Sequence, residues 1–264
     1  YAAQRNGAFE RRGLNVQVLE GGPGAPVIQS VATGQIDFGI TGGDDLVIAR
    51  ARGIDVAAVF ATFQSSPLAI MVHASRGLTA LDALRGGTLA MEPGLPFGAW
   101  LRRKYRFEGV TLVPYDGGIA RFLGDSMFAQ QCYITSEPLS AKRQGSDPQL
   151  FSAKSTGFDP YTNVLFTRTS LLKEHPELVG KVVGAVREGW RDYLQNPTPT
   201  NVHMNQLNRA MDAETFAAAA EAQRPLIAGQ ELGAMTEPRW ATLIDQLLEI
   251  GESICPGNFP HAAS

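Results

Sequence analysis

Apolar residues recur at helical spacing through Val27, Ile28, Val31 and Ala32, with Gly34 just past them. That pattern predicts a short amphipathic helix. A buried strand is expected over 37–41, followed by a turn through Gly42-Gly43 into a second helix, 44–52, stopped by Gly53. A helix, a strand and a helix so closely spaced call for right-handed crossovers and a parallel sheet. Ligands in such sheets sit at the carboxyl ends of the strands. Here that place is Thr41-Gly42-Gly43-Asp44, where glycines admit close approach and the helix start offers unpaired N–H groups. The same residues equally suit a plain turn and helix cap.

Before this stretch, residues 1–13 read as a helix already under way, and 14–19 (L-N-V-Q-V-L) alternate as a strand that runs into the glycine-rich loop 20–24. A parallel sheet normally opens with a strand and none precedes this helix. An N-terminal strand, with anything before it, is therefore expected to be missing, and the absent leader says nothing of secretion. After it, apolar runs at 56–62 and 68–73 are joined by a link too short for a crossover helix, so one of them leaves the first sheet for a second. A hinge is expected near 72–75. The pattern then restarts with strands at 88–91, 110–114 and 128–134, each followed by a loop and a helix, and 164–167 leads back. From Thr169 the chain reads as helices at 170–175, 177–194, 199–208, 213–225 and 237–252. The domains implied are 1–73 with 168–264, and 74–167.

Composition narrows the chemistry. With 264 residues, 44% hydrophobic and 19% charged, the chain can bury a core across two lobes. A net charge of −3 gives no support for nucleic-acid binding, and no apolar run approaches the length of a membrane span. Cys132 and Cys255 match no metal-ligand spacing and are expected to be free thiols. No nucleophile elbow, phosphate loop or metalloprotease motif is present, and none of the four histidines stands in a recognisable catalytic pattern. No catalytic residue, metal or cofactor is expected.

Polar and aromatic residues do recur at strand ends. They are Gly22, Thr41, Gly42, Asp44, Phe63 and Gln64 in the first lobe, and Glu92, Asp116 and Glu137 in the second, with Tyr161 before the returning strand. Singly, each is more routinely a turn or a cap; facing one another across a cleft, they would form a binding site. Glu137 stands out, since it follows an apolar strand and precedes Pro138 at a helix start. Tyr161 and Trp100 are candidates to stack on a flat ring or to fill the core. A nitrate or sulfonate site would want cations, whereas these loops carry Asp44, Glu92, Asp116 and Glu137 and no cation. The composition favours a neutral or weakly cationic ring with N–H donors.

The elements Y-A-A-Q-R-N-G-A-F-E-R-R-G-L-N-V, V-A-T-G-Q-I-D-F-G-I, L-V-I-A-R-A-R-G and S-L-L-K-E-H-P-E-L-V occur in that order. Together they resemble the solute-binding proteins of ABC importers for nitrate, taurine, alkanesulfonates and thiamine-pyrimidine precursors. Y-I-T-S-E-P and F-D-P-Y-T-N-V-L-F-T are most similar to the pyrimidine-precursor branch and its proposed riboflavin-binding relatives. The resemblance implies a type II periplasmic-binding-protein fold: two α/β lobes, each a mostly parallel sheet flanked by helices, joined by a hinge. It further implies a monomeric, periplasmic or lipid-anchored receptor that closes on a nitrogen heterocycle and docks on a membrane permease. The branch is also similar to a single-turnover pyrimidine synthase, but that enzyme's cysteine-rich motif is absent here.

Overall fold

The computed structural model describes residues 1–22, 25–209, 211–227 and 231–254, so the expectations for Pro23, Gly24, Cys255 and His261 lie outside them. The described chain runs α1 (Ala2–Arg5), α2 (Val27–Ala32), β1 (Phe38–Thr41), α3 (Gly43–Ala51), β2 (Val56–Phe63) and β3 (Leu68–His73). Then come β4 (Thr88–Met91), α4 (Pro96–Lys104), β5 (Thr111–Pro114), α5 (Ala120–Gly124), β6 (Phe128–Tyr133), α6 (Glu137–Arg143), β7 (Pro148–Ser152) and β8 (Thr162–Arg168). The helical tail comprises α7 (Thr169–Glu174), α8 (Pro176–Gln195), α9 (Thr198–Leu207), α10 (Ala213–Ile227) and α11 (Glu237–Glu249). None of the described helices is long and apolar enough to cross a membrane.

Two sheets organise these elements, in the orders β1-β8-β2 and β5-β4-β6-β3-β7. The α/β reading holds, but the strand directions are mixed. β8 pairs antiparallel with both β1 and β2, although those two run the same way. In the second sheet β4 is parallel to β5 and β6, while β3 is antiparallel to β6 and β7. The reason lies in the route of the chain. β3 and β8 each enter their sheet from the link that joins the sheets, so each runs against its neighbours. The passage from first to second sheet falls between Phe63 and Leu68, ahead of the hinge expected near 72–75. β3, placed in the first lobe by the sequence pattern, pairs in the second sheet, and β8 pairs in the first.

β8 is the central strand of its sheet, and its Val164, Leu165 and Phe166 are all buried. One face meets Val31 and Leu46 of α2 and α3; the other meets Phe60 and Val182. Gly39 of β1 is required where α2 crosses, because a Cβ there would stand 2.7 Å from both Val27 and the Phe166 ring. α8 buries Val179, Val182, Ala185, Gly189 and Tyr193, a helical stripe matching its predicted amphipathicity. α1 crosses it at Gly189, where a Cβ would meet Ala3 at 2.6 Å.

The core of the second sheet reaches across to the first. Val47 of α3 and Leu243 and Leu247 of α11 pack in one cluster with Ile70, Leu89 and Phe97. Two sequence-derived elements change. Residues 14–19 form no ladder, and Val18 and Leu19 are exposed; alternation alone makes no strand without a hydrogen-bonded neighbour. The first thirteen residues form α1 and a short 3-10 turn, Glu10–Arg12, rather than one helix. β7 is not legible in the sequence, since P-Q-L-F-S carries too short a pattern to separate from a loop.

The links between sheets are pinned together by Asp159. Its Oδ1 accepts the Ser66 N–H at 2.7 Å, and its Oδ2 accepts the Ser65 hydroxyl at 3.2 Å. Arg239 donates to the Asp159 carbonyl at 2.9 Å. Asp159→Ala leaves a half-buried N–H without its acceptor, so we expect a loss of about 1–3 kcal/mol, read as a lowered thermal midpoint. An unchanged midpoint would show that the links do not depend on this carboxylate.

Candidate functional site

The strand directions bring the predicted loops to one place. The carboxyl ends of β1 and β2 lie beside the start of β8, with Thr41 opposite Val164 and Phe63 opposite Thr162. In the second sheet the carboxyl ends of β4, β5 and β6 share an edge, and Tyr133 at the end of β6 is opposite Leu68 at the start of β3. Both edges therefore abut the links 64–67 and 157–161.

Tyr133 marks where the edges meet. The residue remains 45% exposed, yet its phenol is held above its ordinary range. Partial burial of the hydroxyl is the largest cause, and the negative charges of Asp44, Glu92, Asp45 and Glu137 add to it. Asp44 and Asp45 belong to α3 on the first sheet; Glu92 and Glu137 follow β4 and β6 of the second. Acids from both sheets thus act on one exposed aromatic residue. Sequence reasoning missed Tyr133 because it ends an apolar run and looks like one more strand residue.

Each acid is built in by local chemistry. Gly42 is extended at the start of α3, and the Gly42 N–H and the Thr41 hydroxyl both donate to Asp45 Oδ2, at 3.3 and 2.8 Å. Asp45 is therefore the cap. Asp44 is buried, and desolvation, followed by the charge of Asp45, raises it to about 7 against the backbone N–H groups that favour its ion. Gly43 is demanded by packing: its N–H donates to the Tyr161 carbonyl at 2.9 Å, and a Cβ would meet that same oxygen at 2.9 Å.

Glu137 opens α6, with Pro138 in the first turn as expected. Its Oε1 accepts the Tyr115 hydroxyl at 2.7 Å, and its Oε2 accepts the Tyr133 N–H at 2.9 Å. Arg143 at the far end of α6 lies 2.9 Å from both oxygens of Asp212, anchoring the helix to the tail. Glu92 is exposed, and its N–H donates to Gln131 Oε1 at 2.6 Å. Asp116 makes a local turn by accepting the Gly118 N–H at 3.1 Å, and its charge reaches Tyr115.

Most of the other candidates lie at the same edges but are taken up by packing and structural hydrogen bonds. Tyr161 is only 1% exposed, and its hydroxyl accepts the Thr236 N–H at 2.9 Å. The Arg239 guanidinium lies 3.8 Å from its ring centre. Of the two roles open to it, Tyr161 thus takes that of a core residue, because the chain re-enters the first sheet directly beneath α11. Trp100 likewise packs on Phe158 and donates to the Thr156 carbonyl. Phe63 is buried in the strand end. Gln64 is buried with its amide N–H groups on the Ala61 and Ala234 carbonyls, which makes it a brace for the link. Gly22 is exposed, with open space where a Cβ would stand.

Among the described residues no cluster of His, Cys, Asp and Glu is arranged to hold a metal. Cys132 is buried and free, and burial, with the charge of Glu137, keeps its thiol well above the usual range. Such a thiol is a poor nucleophile. A hollow of about 450 Å³ lined by His73, Ser75, Gln144, Ser146 and Asp147 lies at the opposite end of β3 from Tyr133, outside this site.

Comparison with known proteins bears on the same architecture. The family described as NMT1/THI5 like matches residues 1–200. The riboflavin-binding protein RibY of Chloroflexus aurantiacus is 26% identical over 215 residues, 75% of this chain and 58% of that protein. The formylaminopyrimidine-binding protein of Halalkalibacterium halodurans is 24% identical over 206 residues, 75% of this chain and 62% of that protein. The chain thus spans about three-fifths of the length of these relatives. The periplasmic aliphatic sulphonate binding protein SsuA of Escherichia coli superposes with a TM-score of 0.72 at 15% identity, covering 96% of this chain and 87% of that one. The chain therefore has the periplasmic-binding-protein fold.

Proposed function

The chain belongs to the NMT1/THI5-like family, and from that premise we propose that it is the solute-binding receptor of an ABC importer. Its two lobes are the two sheets with their helices, joined at the links 64–67 and 157–161. They close over a small nitrogen heterocycle, of the kind named in the formylaminopyrimidine-binding and riboflavin-binding relatives. The observation that carries this reading is the placing of Asp44 and Asp45 after β1, and of Glu92 and Glu137 after β4 and β6, at the sheet edges beside the links, with Glu137 bonded to the Tyr133 N–H. An exposed phenol ring offers a stacking face, and an ionised carboxylate is an acceptor only, so it selects for ligand N–H groups. The same charges repel nitrate and sulfonates.

The receptor binds its ligand without consuming it. The buried, protonated Cys132 and the missing cysteine-rich motif speak against the synthase alternative. An extracytoplasmic location and docking on a permease follow from the receptor role, as does action without nucleic acid. We take the working form to be a monomer.

A thermal-shift screen tests the ligand class. An N-formylaminopyrimidine or riboflavin at a hundred times its Kd should stabilise the protein by about 2.7 kcal/mol by mass action, while taurine and nitrate leave it unchanged. A shift with taurine or nitrate alone would overturn the assignment.

A further inference from the structure

We propose that Tyr115 is the positioning residue of this site, fixing the Glu137 carboxylate so that it presents acceptors to a ligand's N–H edge. The proposal rests on the receptor reading above and goes beyond it by assigning a role to a residue outside the ring of acids around Tyr133.

The geometry is specific. Tyr115 follows the last residue of β5, and its backbone N–H donates to the Met91 carbonyl at the end of β4 at 3.0 Å. That bond fixes where its side chain starts. The ring packs in the cluster of Cys132, Phe122 and Phe128, so its direction is set by apolar contacts. From there the hydroxyl reaches past the end of β4 to Glu137 Oε1 at 2.7 Å. The second oxygen is held by the Tyr133 N–H at 2.9 Å. A carboxylate gripped at both oxygens by groups on two different strand ends cannot rotate freely. Each oxygen still keeps lone-pair capacity, because an ionised carboxylate has about four acceptor sites.

Without the Tyr115 hydroxyl, the backbone bond alone would leave Glu137 free to swing about its long side chain. Ordering it would then have to occur on binding, at a cost of affinity. The groups that face Tyr115 are Glu137 from α6, Cys132 from β6 and Asp116 from its own loop. Burial and the bond to Glu137 hold the phenol proton on, so the hydroxyl stays a donor across the working pH range.

The test compares Tyr115→Phe, which keeps the ring, with the wild type in two measurements. Crystal structures of the ligand-free proteins should show the Glu137 carboxylate in one position in the wild type, and displaced or spread over several in the variant. Calorimetric titration with an N-formylaminopyrimidine should show a Kd weakened by roughly three- to tenfold, the scale of one lost neutral hydrogen bond. In a Glu137→Gln background the Tyr115→Phe change should add little, because both act through one carboxylate. An unmoved Glu137 in the variant crystal overturns the proposal, as does wild-type affinity, or a Tyr115→Phe effect that persists in full in the Glu137→Gln background. Failure of the wild type to bind the probe would count against the receptor reading instead, and the crystal comparison would still decide the role of Tyr115.

Discussion

Glu137→Gln is expected to weaken binding of an N-formylaminopyrimidine tenfold or more, about 1.4 kcal/mol, measured by calorimetry at pH 7. The substitution keeps size and shape. It replaces one acceptor oxygen with an NH₂ group that would face either the Tyr115 hydroxyl or the Tyr133 N–H, both of which donate to the native carboxylate. The amide therefore mismatches one of its two protein partners whichever way it turns. It also removes the negative charge that a basic or donor-rich ring would meet. Folding should change little by comparison, since Glu137 is only half buried and α6 keeps Pro138 in its first turn. A variant that binds as tightly as the wild type would remove Glu137 from the site and leave the Tyr133 neighbourhood without its best-anchored acceptor.

Asp44→Asn should raise stability at neutral and alkaline pH, with an effect that disappears in acid. Burial and the adjacent Asp45 charge push Asp44 to about 7 in the folded chain, against 3.8 for the unperturbed group. Between those values the native state holds a proton that the unfolded chain has released. Stability from this group is therefore full below about pH 4 and is lost as pH rises through about 7. A tenfold change in proton affinity corresponds to about 1.4 kcal/mol, so the loss is on the order of a few kcal/mol. Asparagine cannot ionise and escapes it. Thermal unfolding at acid, neutral and mildly alkaline pH should show the variant's midpoint rising above that of the wild type as pH increases. Parallel pH curves for the two proteins would show that Asp44 is not buried against its charge.

Much of this arrangement is legible along the chain, for reasons that are local. The stretch through Gly42-Gly43 announces its helix, strand and helix by spacing and glycine placement, and the structure has all three. Glu137 beside Pro138 reads as a helix start at a strand end, which requires only neighbours in sequence. Asp44 stands out at the same kind of position, though the cap proves to be Asp45, whose side chain folds back on Gly42 and Thr41. Tyr161 and Tyr133 show where local reading stops. Both are tyrosines at ends of β-rich runs, and nothing nearby in sequence says that one is covered by α11 while the other is left open. That depends on Trp240 and Arg239, far along the chain from Tyr161.

By itself the sequence determined the alternation of strands and helices, the acids at strand ends and the resemblance that points to a two-lobed receptor, because periodicity, capping and turn chemistry act over a few residues. Only the tertiary structure decided the antiparallel insertion of β3 and β8, the crossing points at 64–67 and 157–161, and which aromatic ring faces the acids. Those features arise when segments distant in the chain compete for the same sheet edge and the same core volume, and local pattern carries no record of which one wins.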